Sequence, residues 1–271
     1  MKNIKGGNVV MAPQRVIYEK NPLIEVIIQY RFPKILSLNT KDPIDFQDAI
    51  RDEYPIYQLA LENQQEISIA INQNDGVAPV PSIVQNQLVR NHSFISSDGT
   101  YKINLTNEFL SISTLSYHRW EEMLSHFAKP LEMFERIYKP PFYERIGLRY
   151  IDAFSRNELN LTDSPWKSLI TAAWLGAFAS IDEERVINSG LDVEYFLDQR
   201  NARARIHAGL GTINNSPERV FIVDSDFMKI EMIKTDNGYS VLEYLHDNAK
   251  EFISKVITEK LHLAMKPEKA E

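Results

Sequence analysis

The chain has 271 residues, 44% of them apolar and 25% charged, a balance that fits one large or two ordinary globular domains and excludes disordered, collagen-like and coiled-coil classes. Cysteine is absent, so disulfide scaffolds, thiolate-bound zinc, iron–sulfur clusters and thiol nucleophiles are excluded together, and a reducing, cytoplasmic setting is expected. The formal charge of −7 is the wrong sign for affinity built on neutralising phosphates; the first ten residues hold no apolar export segment, and the longest nearly apolar run, Leu169 to Ile181, is too short to cross a bilayer.

After an N-terminal extension over residues 1–20, the run Pro22 to Phe32 alternates with a period of two. Ile24, Val26, Ile28, Tyr30 and Phe32 share one face, with Glu25, Ile27, Gln29 and Arg31 opposite, which predicts a strand. Asp42-Pro43 is expected to open a helix, with an N-cap oxygen and a proline at the first helical position, and Pro55 to end it. Strands follow at Gln65 to Ile71, Arg90 to Ser96, Thr100 to Thr106 and Phe109 to Leu115, with Asp98-Gly99 as a hairpin turn. Between the first two of these, Asn72 to Gln87 is poor in apolar residues and is expected to be a mobile loop. A long helix carrying Trp120, Met123, Leu124, Phe127, Leu131 and Phe134 on one stripe closes this half, with Pro130 expected to kink or break it.

The pattern then recurs. Glu144 to Phe154 puts Ile146, Leu148 and Tyr150 on one face and Arg145, Gly147 and Arg149 on the other, and Tyr30 falls on Tyr150 at a spacing of about 120 residues. Ser164-Pro165 falls on Asp42-Pro43, and Ala249-Lys250 on Ala128-Lys129, at nearly the same spacing. Strands at Leu191 to Gln199, Ala202 to Leu210 and Arg219 to Phe227 precede a closing helix striped with Val241, Tyr244, Leu245, Ala249, Phe252 and Val256. The expected architecture is therefore α+β: internally duplicated β-α-β(n)-α halves, residues 21–139 and 142–263, joined at Pro140-Pro141. They would build a curved antiparallel sheet with helices on one face, and residues 264–271 would form a frayed tail.

Alternation also predicts the residues of the uncovered sheet face: Glu25, Gln29, Arg31, Arg145, Arg149, Arg203, Arg205, His207, Asp224 and Asp226. Such a set reads in two ways. The plainer is a lattice of salt bridges across strands. The functional alternative assigns Arg145, Arg149, Arg203, Arg205, His207 and Glu25 to an anionic ligand and Asp224 with Asp226 to a hard divalent cation. Glu25 and Arg149 form a second expected pair if the two opening strands are neighbours. Ser164-x-x-Lys167 is read as a helix cap rather than a nucleophile, Gly209-Leu210-Gly211 as a strand end, and no nucleophile elbow, phosphate loop or dinucleotide fingerprint is present.

The runs Asn21-Pro22-Leu23-Ile24-Glu25-Val26 with Arg31-Phe32, Arg145-Ile146-Gly147-Leu148-Arg149-Tyr150-Ile151-Asp152 and Val223-Asp224-Ser225-Asp226 resemble a sporadically distributed bacterial family of proteins of unknown function, over nearly the whole chain. The resemblance brings no activity with it. Its patchy distribution implies carriage on accessory loci such as phage-defence or toxin–antitoxin modules. The expected function is a non-catalytic binding or interaction component engaging a protein partner, a second copy or a small anionic ligand, with no membrane association and no cofactor identified. The alternative is a metal-dependent enzyme acting on a nucleotide or phosphorylated substrate, and nucleic-acid binding ranks third because the net charge is negative.

Overall fold

The computed structural model describes residues 16–69, 81–213 and 216–269. After β1 (Val16–Tyr18), the first opening strand β2 (Leu23–Arg31) leads through α1 (Ile44–Ile50) to the long hairpin β3 (Ile56–Ile69) and β4 (Pro81–Ile95), then β5 (Tyr101–Leu105), β6 (Phe109–Thr114) and the closing helix α2 (Trp120–Tyr138). The second opening strand is β7 (Tyr143–Phe154). A run of short helical turns containing α3 (Ala172–Leu175) follows, then β8 (Gly190–Phe196), β9 (Ala202–Gly211), β10 (Val220–Ile233), α4 (Gly238–Val256), α5 (Glu259–Ala264) and β11 (Pro267–Lys269).

Nine of these strands form one antiparallel sheet in the order β3-β4-β5-β6-β2-β7-β10-β9-β8. The two opening strands are neighbours at its centre, with Ile28 opposite Leu148, and the later strands of each half lie outward from them. The strand periodicity of two then sorts the side chains. Val26, Ile28, Tyr30, Ile146, Leu148, Ile206, Val223 and Phe227 are buried against Phe46, Phe127, Phe134, Leu245 and Phe252 of the helices in one hydrophobic cluster. The alternate residues form the opposite, polar face.

Several expectations are corrected by tertiary contacts. Pro130 does not break α2. The His126 carbonyl that loses its N–H partner to Pro130 accepts a hydrogen bond from the Tyr54 hydroxyl at 2.7 Å instead, and the helix continues to Tyr138. Asp42 does not cap α1; its carboxylate pairs with Arg90 of β4. No long helix follows Ser164-Pro165, and Ser164 caps nothing, because Leu169 and Thr171 are drawn into backbone hydrogen bonds with Thr258 and Val256, 2.9 Å each, at the end of α4. Residues 81–87, expected in a loop, belong to β4, and β3 begins at Ile56 rather than Gln65; the remaining loop residues expected over 72–80 lie outside the described residues. Strand β10 runs six residues past Phe227, to Ile233. The tail is not frayed at its start: Pro267–Lys269 pairs with Val16–Tyr18, and the Tyr18 hydroxyl bonds His262 Nδ1 at 2.8 Å. Among the described residues no helix is long and apolar enough to cross a membrane.

Candidate functional site

The predicted polar face comes together as expected, and its charges are matched. Arg149 Nε and Nη2 donate to both oxygens of Asp224 at 2.7 and 2.5 Å, a fork-on-fork pair that raises the arginine's pKa. Arg145 bridges three strands, with Nη2 within 2.8 Å of both Asp226 oxygens on β10 and Nη1 donating to Gln29 Oε1 on β2 at 2.9 Å. Gly147 makes that reach feasible: a Cβ there would sit 2.3 Å from Arg145 Nη1, so only glycine leaves the guanidinium its path across the strand. Burial lowers the Arg145 pKa and raises that of Asp226, so for this pair desolvation outweighs the mutual attraction.

Farther out, Arg203 and Arg205 share Glu194 at 2.9 and 3.1 Å, and His207 Nδ1 meets Asp192 at 2.8 Å. Glu25 is the exception to the expected pairing. Glu25 and Asp224 both stand opposite Ile151, one on each strand that flanks β7, and Arg149 gives its two donors to Asp224. With Asp224 and Asp226 each committed to a guanidinium, and no group of three or more His, Asp or Glu placed to hold a metal ion among the described residues, the geometry of this face is that of a cross-strand lattice.

The other sheet face holds a site that was not singled out from the sequence. On β7 the inward residues Ile146, Leu148 and Tyr150 are followed two positions later by Asp152, only 5% exposed. Burial alone pushes its carboxyl up to about 7: neither a cationic side chain nor a hydrogen bond from a described residue offsets the desolvation. Phe32, 120 positions earlier at the end of the other opening strand, also points inward and packs on Phe134 at a ring-centroid distance of 4.5 Å. At the sequence spacing of 120, the buried residue is thus a phenylalanine in one strand and a carboxyl in the other.

Asp152 lines a cleft of about 160 Å³ between the start of α2 and the middle of α4. Tyr150, Phe154 and Ser225 complete the sheet side; Val16, Ile17 and Tyr18 of β1 form one wall; Ala249 and Ile253 of α4 form another; Trp120 stands at the start of α2. His118, Arg119 and Glu121 are exposed at the mouth. The walls are held in place. Trp120 stacks on His246 at 4.0 Å and 7° and donates its indole N–H to Glu243 at 2.8 Å, and the Tyr150 hydroxyl bonds His246 Nδ1 at 2.8 Å. The β1–β11 pair fixes Tyr18, whose hydroxyl is pushed up to about 12 by burial and by the nearby Asp152 charge.

Such a site combines a buried carboxyl that has no charge or hydrogen-bond partner among the described residues with a largely apolar, aromatic enclosure, which is the composition of a small-molecule pocket rather than of packed core. The signal was present in the sequence: extending the alternation of β7 by two residues puts Asp152 on the buried side. No protein-family model matches the chain, and no functionally curated protein matches it significantly.

Proposed function

We propose that the protein is a non-catalytic binding component of the kind of bacterial accessory system that its sequence resemblance implies, acting in the cytoplasm, and that its ligand enters the cleft over Asp152. The observation that carries this reading is the carboxyl itself. Leaving a buried polar group without a hydrogen bond costs about 1–3 kcal/mol, more when it ionises, and a phenylalanine fills the corresponding place in the first half. Retaining so costly a group at the floor of an open cleft is the pattern of a site kept for a ligand. The polar face is the lesser candidate, since its arginines and carboxylates already satisfy one another.

An ancestral duplication gives this reading its geometry. The spacing that superposes Tyr30 on Tyr150 also superposes Ile28 on Leu148, and those two residues are cross-strand partners at the centre of the sheet, as a pseudo-twofold axis through that point requires. The cleft then lies where the two halves have diverged, between the closing helix of each. Thermal unfolding in the presence of a metabolite library tests the proposal. A ligand at a hundred times its Kd adds about 2.7 kcal/mol to the folded state. The resulting rise in Tm should vanish in a Leu23→Trp variant that fills the cleft. A rise that survives in that variant, and is lost instead on replacing Arg149 and Asp224, would move the site to the polar face.

A further inference from the structure

We infer that the cleft takes a small organic cation, a primary ammonium or amidinium group carried on a body about the size of a single aromatic ring, with the Asp152 carboxylate as its counter-ion. This inference rests on the proposed role of the cleft and names its ligand class. Three observations converge on it. First, Asp152 is buried, lines the open volume and accepts no hydrogen bond from a described residue, so the site offers acceptor oxygens and an uncompensated negative charge when ionised. A hydrogen-bond donor with positive charge satisfies both, whereas an anion satisfies neither.

Second, the inner walls are aromatic and aliphatic: Trp120, Tyr150 and Phe154 line the cleft and Ile253 and Leu23 add apolar surface, while of the lining cations Arg119 is exposed and Lys250 is paired with Asp247, and neither offsets the Asp152 charge. Ring faces attract cations, and apolar walls favour a compact hydrophobic body behind the charge. Third, the volume sets the size. A closed apolar cavity of about 150 Å³ accommodates benzene, and this cleft encloses about 160 Å³ with an exit past His118 and Arg119. Ser225 adds little to recognition, because its hydroxyl is spent on the Tyr150 carbonyl at 3.3 Å.

Calorimetric titration of the full chain with three probes of one shape tests this: benzylamine as the cation, benzyl alcohol as the neutral form and phenylacetate as the anion. The expected order is benzylamine tightest, benzyl alcohol weaker and phenylacetate without measurable binding. Asp152→Asn should weaken benzylamine about 30-fold or more, the usual consequence of truncating one member of a buried charge pair, while leaving benzyl alcohol unchanged. Equal binding of benzylamine and benzyl alcohol by the wild-type protein would overturn the cation assignment and leave the cleft as a binding site. Binding of none of the three, with no change in Trp120 fluorescence, would overturn both, and neither of these outcomes depends on how the variant folds.

Discussion

Replacing Asp152 by Asn keeps the shape of the side chain and removes its ability to ionise, so the effect of the substitution on stability should depend on pH in a calculable way. In the unfolded chain the carboxyl titrates at its ordinary 3.8, whereas in the folded protein it titrates near 7, because burial disfavours the charged form. Below about pH 4 both states are protonated and the residue contributes no pH dependence. Between about pH 4 and 7 the unfolded state releases its proton and the folded state does not, so stability falls as pH rises; above about 7 both are ionised and the loss levels off. About three pH units at about 1.4 kcal/mol each give about 4 kcal/mol, a large fraction of the 5–15 kcal/mol typical of a domain. Asp152→Asn should therefore match the wild type within about 1 kcal/mol near pH 4.5 and exceed it by up to about 4 kcal/mol at pH 8. Urea unfolding of both proteins, followed by tryptophan fluorescence at several pH values, isolates this residue, since every other titrating group is common to the two. A stability difference that stays constant from pH 4.5 to 8 would refute the reasoning.

Other consequences concern the sheet. Asp226→Ala should cost about 3 kcal/mol by stranding the largely buried Arg145 charge, whereas Arg145→Met combined with Asp226→Leu should stay within about 1 kcal/mol of the wild type; equal losses in chemical denaturation would contradict this. Gly147→Ala should displace the Arg145 guanidinium and cost about 2 kcal/mol, yet cost almost nothing further once Arg145 is Met, a coupling that a double-mutant cycle measures. Tyr30→Phe should stabilise the protein by about 1 kcal/mol, because the Tyr30 hydroxyl is fully buried without a hydrogen-bond partner among the described residues; a lower Tm would expose a bond that the geometry lacks.

The elements that came through from sequence are those whose signals are local and periodic. The alternation of Ile24 to Phe32 and Ile146 to Tyr150 located the central strands, and the helical stripes of Trp120 to Phe134 and Val241 to Val256 located the closing helices. The same alternation assigned the whole polar face, including Arg203, Arg205 and His207. What could not be read depends on partners distant in the chain. Pro130 looks like a helix breaker until Tyr54 supplies the missing donor, 72 residues from His126. Pro267–Lys269 looks like a tail until β1 pairs with it. The choice of Asp224 over Glu25 by Arg149 is likewise not legible in the sequence, because both carboxylates stand opposite Ile151, one on each strand that flanks β7. Asp152 differs from these: its position was readable, but its meaning emerged only when Tyr18, Trp120 and Tyr150 were found around it.

The most direct measurement is the carboxyl pKa of Asp152, obtained from the ¹³C shift of the labelled side chain across a pH titration with and without benzylamine. An unpartnered, desolvated group waiting for a cation should titrate near 7 alone and move down by one unit or more when the amine is bound. A value in the ordinary carboxylate range, unchanged by the amine, would show that the group is already solvated or paired and that the cleft is not built around it.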